Sequence, residues 1–284
     1  MTTFRPLGST SPIGLGCSRF GSILGANERQ SANLIAAALD HGINFFDTSD
    51  IYGQGDSERI LGRVLRNRQD VVICTKIGKV ISPTRRLLLP LKQIIRGVTN
   101  RSSAAQKTVR GARARPMPAN WSPQYLATAI DRSLSRLKRD RIDILMLHGA
   151  DAEIIRRGAA LDMLERAKAM GKVGLVGLSV DTDDVASIAL MDDRVTVLQV
   201  PMWPGSTDFN QILTRAAARD VPVVAREIFG GVAARTKLGA SERARALAAA
   251  VSNPGVAVSL IGTTKTEHLI EAVKSLPRMD ADAG

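Results

Sequence analysis

Short apolar runs alternate with amphipathic stretches along most of the chain. Ile13 to Gly16, Ile43 to Asp47, Asp70 to Thr75 and Ile142 to Leu147 read as strands, as do Lys172 to Ser179, Val195 to Val200, Val221 to Ala225 and Val256 to Ile261. The stretches between them are helical by pattern: Gln30 to His41, Ser57 to Arg68, Gln124 to Leu137, Ala159 to Met170, Thr182 to Met191, Asp208 to Arg219, Ser241 to Val251 and Thr266 to Lys274. Leu34, Ile35, Ala38 and Leu39 share one helix face, and Gly42 stops that helix. Ser122-Pro123 supplies an N-cap with proline at the first helical position. Phe4 to Gly16 reads as a small hairpin, closed by Gly8-Ser9-Thr10, that runs into the first strand. This order predicts one α/β domain over residues 1–284, a closed (β/α)8 TIM barrel entered through an N-terminal β-hairpin.

The alternation breaks once. Residues 77–121 separate the third strand from the next helix, far beyond the about 2–6 residues of an ordinary βα loop. This long insertion is basic: Lys79 to Arg115 carries ten Lys or Arg and no acid. The chain's net charge of +12 falls to +2 without that segment, from 29 basic and 27 acidic residues. Three readings of the segment are open: a solvated loop, a lid that concentrates acidic substrates, or a weak contact for anionic ligands or a membrane surface. No nucleic-acid motif accompanies it, and Trp121 is the aromatic at its border.

The remaining composition excludes several classes. Hydrophobic residues make up 44% of the 284, enough for a sizeable core. No apolar run reaches the about 18 residues of a transmembrane helix, and the first residues lack the apolar core of a signal peptide. The two cysteines, Cys17 and Cys74, form neither a disulfide framework nor a metal pattern, so no metal is expected and a cytoplasmic setting fits. Met146, Met163 and Met170 read as core, and His41 as the partner of a helix C-terminus. Nothing in the chain demands an oligomer.

The candidate chemistry lies where strands stop. Asp47 ends the second strand, Tyr52 stands on the loop beyond it, and the next helix opens at Asp56 or Ser57. The third strand delivers Lys76 and the fourth delivers His148. In a parallel barrel these ends converge at the ligand-binding edge. Such a cluster suits proton donation to a carbonyl oxygen. A lysine cation favours phenolate and so lowers a neighbouring tyrosine's pKa, a carboxylate holds the lysine charged, and a histidine orients the oxygen. Strand eight ends Ile261-Gly262-Thr263-Thr264-Lys265 and feeds a helix start, a ready anion site.

In these contexts, Phe-Asp-Thr-Ser-Asp-Ile-Tyr-Gly, Ser-Glu-Arg-Ile-Leu-Gly, Thr-Lys-Ile-Gly and Leu-Met-Leu-His, the chain resembles the aldo-keto reductases from about Arg5 to about Leu276. The resemblance implies hydride transfer between NADP (or NAD) and a small-molecule carbonyl or sugar, with Asp47, Tyr52, Lys76 and His148 as catalytic residues. It also assigns cofactor contacts. Gly16 and Ser18 lie at the first loop; Ser179 and Gln199 match the residues that bond the nicotinamide carboxamide. Arg226 takes the place of a stacking aromatic, and Phe229 and Gly231 lie along the pyrophosphate. Gly262, Thr263, Thr264, Lys265 and His268 surround the adenosine phosphate, and Glu271 faces the adenine. Trp203 would line the substrate pocket. The chain departs from the family pattern at Val180, Arg226 and Ala272. Those departures keep an alternative open: a nicotinamide-binding regulatory or interaction subunit with little turnover.

Overall fold

The computed structural model describes residues 7, 10–81, 96–97, 99, 102, 117–231 and 238–276. The expected N-terminal hairpin lies mostly outside those residues, as does most of the basic insertion.

Strands β1 (Ile13–Gly16), β2 (Phe45–Asp47), β3 (Val72–Ile77), β4 (Ile142–His148), β5 (Val173–Ser179), β6 (Val197–Pro201), β7 (Val223–Arg226) and β8 (Val258–Gly262) pair in parallel. β8 returns to β1 and closes the barrel in sequence order. Nine α-helices are found among the described residues: α1 (Glu28–Asp40), α2 (Asp56–Val64), α3 (Pro123–Leu137), α4 (Ala152–Arg157), α5 (Ala159–Ala169), α6 (Asp183–Ala189), α7 (Asn210–Ala218), α8 (Ala240–Ser252) and α9 (Thr266–Lys274). The short helix α4 was not anticipated. Asp151 starts it, accepting from the Ile154 N–H, and Gly158 ends it after barely more than a turn, too short for a periodic signal.

Two cores follow from the alternation of side chains along a strand. Phe45, Cys74, Ile144, Met146, Val197, Val224, Val258 and Leu260 pack together inside the barrel. The opposite strand faces meet the helices in a larger shell that includes Leu15, Phe46, Ile73 and Leu145. Gly14 belongs to the inner layer: a β-carbon there would sit 2.7 Å from Leu260 and 2.8 Å from Phe45, so the missing side chain admits both. Met170 is 60% exposed, contrary to its reading as core, because it caps the end of α5 beyond the apolar face.

The insertion is tied at its root. Lys79 and Ala119 form an antiparallel bridge, Val80 N–H donates to Pro118 O at 2.7 Å, and Asn120 N–H to Gly78 O at 2.8 Å. Tyr125 on α3 donates to Lys79 O at 3.2 Å. No helix among the described residues is long and apolar enough to cross a membrane.

Candidate active site

The polar layer lies two residues beyond the apolar inner layer. Phe45 leads to Asp47, Cys74 to Lys76, Met146 to His148, Val197 to Gln199, Val224 to Arg226 and Leu260 to Gly262. With a side-chain period of two, each polar residue points to the same side as its apolar predecessor and stands one layer nearer the carboxyl edge. The registers complete the ring: Gly16 is level with Asp47 and Gly262, and Ser179 with His148 and Gln199. Lys76 is thus the penultimate residue of β3 and not a loop residue, and it is 1% exposed.

Burial makes that lysine depend on its partners. Its Nζ donates to Asp47 Oδ1 and Oδ2 at 2.6 and 2.7 Å and to Thr48 O at 3.0 Å. Burial pushes the ammonium pKa down, but the Asp47 carboxylate, with Tyr52 and Cys74 beside it, outweighs burial and holds the group above the usual lysine value. Gln199 Nε2 donates to Asp47 Oδ1 at 2.8 Å, and Ser179 Oγ donates to Gln199 Oε1 at 2.9 Å. Ser179 and Gln199 are therefore linked, inside the barrel, to the carboxylate that holds Lys76.

Tyr52 arrives from a short 3-10 turn, Tyr52–Gly55. The turn has left-handed residues at Gly53 (φ 56°) and Gln54 (φ 63°). A β-carbon on Gly53 would lie 2.4 Å from Phe20 O, so both backbone conformation and space demand glycine. The helix behind it is capped differently from expectation. Gly55, in the left-handed region at φ 90°, is the N-cap of α2. Ser57 is buried, donates to Cys17 O at 3.0 Å and shares a 2.7 Å hydrogen bond with Thr48.

The Lys76 ammonium lies 5.3 Å from the centre of the Tyr52 ring, and the His148 ring meets that ring edge-on with centres 5.8 Å apart. Burial raises the phenol pKa more than the ammonium lowers it, so Tyr52 is a protonated donor at neutral pH, the opposite net direction to that anticipated. Burial, with Lys76, Lys79 and Arg226 nearby, presses the imidazole pKa well below its usual value, and His148 is neutral.

Arg226 sits at the rim. Its guanidinium donates to Val180 O at 2.9 Å, pairs with Asp181, and lies 3.1 Å from Glu227. Trp203 Nε1 donates to the other Glu227 oxygen at 3.0 Å, so an aromatic, two acids and an arginine form one chain. Val180 offers no polar side chain here, while its backbone carbonyl anchors Arg226.

Around the start of α9, Phe229, Gly262, Thr263, His268 and Glu271 line a hollow of about 90 Å³. Lys265 is the N-cap there, and no side chain caps that helix end. Thr263 Oγ1 accepts from Lys265 N–H at 3.1 Å and shapes the turn. Arg243 of α8 also lines the hollow and lies 3.7 Å from Glu271. It escaped the sequence reading because nothing local distinguishes an arginine on an ordinary helix, and Asp181 escaped for the same reason. Gly231 (φ 59°) follows Phe229, and residues 232–237 lie outside the described set. Gly16 is the last residue of β1, and Thr264 and Ser18 occupy the adjoining loops after β8 and β1. No cluster of three or more His, Cys, Asp or Glu able to hold a metal occurs among the described residues.

The sequence profile of the Aldo/keto reductase family matches residues 12–278. The 6-dehydroglucose reductase of Novosphingobium aromaticivorans is 34% identical over 195 residues, 64% of this chain and 52% of that protein. The D-threo-aldose 1-dehydrogenase of a Pseudomonas species is 26% identical over 227 residues, 78% of this chain and 64% of the relative. The matches thus span only part of those relatives' length. An aldo-keto reductase of Klebsiella pneumoniae, solved in complex with NADPH, superposes with a TM-score of 0.68 at 20% identity, covering 94% of this chain and 85% of that one.

Proposed function

The chain belongs to the aldo/keto reductase family, and from that premise we propose that it is an NAD(P)-dependent oxidoreductase that reduces an aldehyde or ketone, or oxidises a sugar or alcohol in reverse. The observation that carries this reading is the buried Lys76–Asp47 pair lying beside the Tyr52 ring with neutral His148 at its edge. Structural ion pairs are also buried elsewhere in proteins, but here the charged pair faces a phenol and an imidazole at the carboxyl edge of a barrel.

The residues fit NADP(H). The uncapped start of α9 with Thr263, Thr264, Lys265 and His268 suits a phosphate, Arg243 adds a cation beside the same hollow, and Glu271 and Ala272 border it. Arg226, fixed by Asp181 and Glu227, is a planar cation suited to stacking on the nicotinamide. Ser179 and Gln199 would bond its carboxamide, Gly16 and Ser18 would flank it, and Phe229 and Gly231 would border the pyrophosphate. When bound, the nicotinamide supplies or accepts the hydride. The protein's own part is proton transfer and orientation: Tyr52 gives its proton to the substrate oxygen, Lys76 steadies the phenolate left behind, Asp47 keeps Lys76 charged, and His148 holds the oxygen. Trp203 would form a wall of the substrate pocket. The names of both relatives refer to sugars, which supports a polyhydroxylated carbonyl compound as substrate.

Steady-state assays with NADPH and a panel of aldoses, ketones and acidic aldehydes test the reading. Tyr52→Phe is expected to lower kcat at least about 10³-fold, within the range of a lost acid and its hydrogen bond, while NADPH affinity changes less than about threefold. Wild-type turnover by that variant would refute the role of Tyr52. The departures at Val180, Arg226 and Ala272 favour one second reading, a cofactor-binding subunit. Tight NADPH binding without multiple turnover would select it.

A further inference from the structure

Ser49 sits between three acceptors with one hydrogen to give. Its Oγ is 3.0 Å from Lys76 O, 3.1 Å from His148 Nδ1 and 3.2 Å from Asp50 Oδ1, and it is fully buried. The Lys76 carbonyl is already served by the Asp50 N–H at 3.1 Å. The Ile51 N–H approaches Ser49 Oγ at 3.5 Å, on the acceptor side of the hydroxyl. A neutral imidazole carries one N–H, and its place is set by what the other nitrogen meets.

Resting on the proposed reductase reading, we propose that Ser49 is a positioning residue: by donating to Nδ1 it keeps the His148 proton on Nε2, the tautomer that can hold a carbonyl oxygen. If the hydroxyl turns to another acceptor, Nδ1 must become the donor and Nε2 becomes an acceptor, which a carbonyl oxygen cannot use.

Asp50 governs which way the hydroxyl turns. Burial and the nearby Glu58 carboxylate raise its pKa to about 8, while Arg136 and the bonds from Ser49 and the Ile51 N–H work against them. Protonated, it competes weakly for the Ser49 hydrogen and can itself donate to Ser49. Ionised, it is the strongest acceptor within reach. The groups facing this unit are Glu58 of α2, Arg136 of α3, and, around the imidazole, Lys76, Lys79, Arg226 and Tyr52. As Asp50 ionises at about pH 8, the His148 proton should therefore move from Nε2 to Nδ1, with Ser49 Oγ as its acceptor.

The chain has three histidines, so ring ¹⁵N NMR resolves them, with His148 assigned by its absence from His148→Phe. In the intact protein at pH 6.5 the His148 ring is expected to be protonated on Nε2. Ser49→Ala should shift the proton wholly or partly to Nδ1, Ser49→Thr should restore it, and Asp50→Asn should keep it on Nε2 at pH 9. With 4-nitrobenzaldehyde and NADPH, Ser49→Ala should lose about tenfold in kcat/KM, the size of one hydrogen bond to the reacting oxygen, with NADPH affinity unchanged. An identical tautomer in wild type and Ser49→Ala overturns the proposal. Failure of every variant, wild type included, to reduce an aldehyde overturns the reductase reading instead, and the NMR result stands by itself.

Discussion

Asp50 keeps its proton up to about pH 8, whereas the same carboxyl in an unfolded chain loses it near about pH 3.9. Between those values the folded state binds more protons, so this residue makes stability fall as pH rises across the window. Asp50→Asn should flatten that decline, read as the urea midpoint followed from pH 5 to pH 9. Removing Lys76 has the opposite effect on stability to removing Asp50. Loss of the lysine would leave the buried Asp47 carboxylate with Gln199 but no cation. Lys76→Met should therefore cost about 3–5 kcal/mol in chemical denaturation as well as turnover. A loss below about 1 kcal/mol would mean that Asp47 is solvated after all.

At the level of strands and helices, the layer rule decides what could be read in advance. An apolar residue followed two places on by Asp, Lys, His or Gln at a strand's end is visible in the chain, so the order of strands and the polar ring were legible. Most boundaries moved by a residue or two, as at β3, where the ladder with β4 carries on through Lys76 to Ile77, but α2 stops at Val64, four residues short of the expected Arg68. What stayed hidden depended on contacts across the fold: the left-handed Gly55 that starts α2, Asp181 against Arg226, and Arg243 beside the α9 hollow. Two contacts at this scale can be tested. Gly62 of α2 lies so close to α3 that a β-carbon would come within 2.3 Å of Arg136 O. Gly62→Ala is expected to lose about 1–3 kcal/mol by forcing the helices apart, despite alanine's better helix propensity. Ser122→Ala removes the α3 N-cap that accepts from the Tyr125 N–H at 3.4 Å and should cost about 1 kcal/mol, measured as a fall in thermal midpoint.

Over the whole molecule, most of the charge excess lies in one segment, which touches the rest of the fold where Arg96 donates to Gly25 O at 2.8 Å. The excess of basic residues belongs to 79–115, while the barrel and its helices are nearly balanced. Replacing residues 82–116 by a short turn should bring the isoelectric point down from about 10.4 towards neutrality and leave the thermal midpoint within a few degrees. Kinetics toward acidic and neutral aldehydes on that variant would distinguish a substrate lid from an inert loop. The bridge between Lys79 and Ala119 makes the replacement feasible, because the chain leaves and rejoins the barrel at adjacent points. Those two residues behave like a socket. Whatever length or sequence is plugged in between them, the spacing from the catalytic strand to the following helix stays the same, so this mouth could be re-equipped without refitting the machinery beneath it.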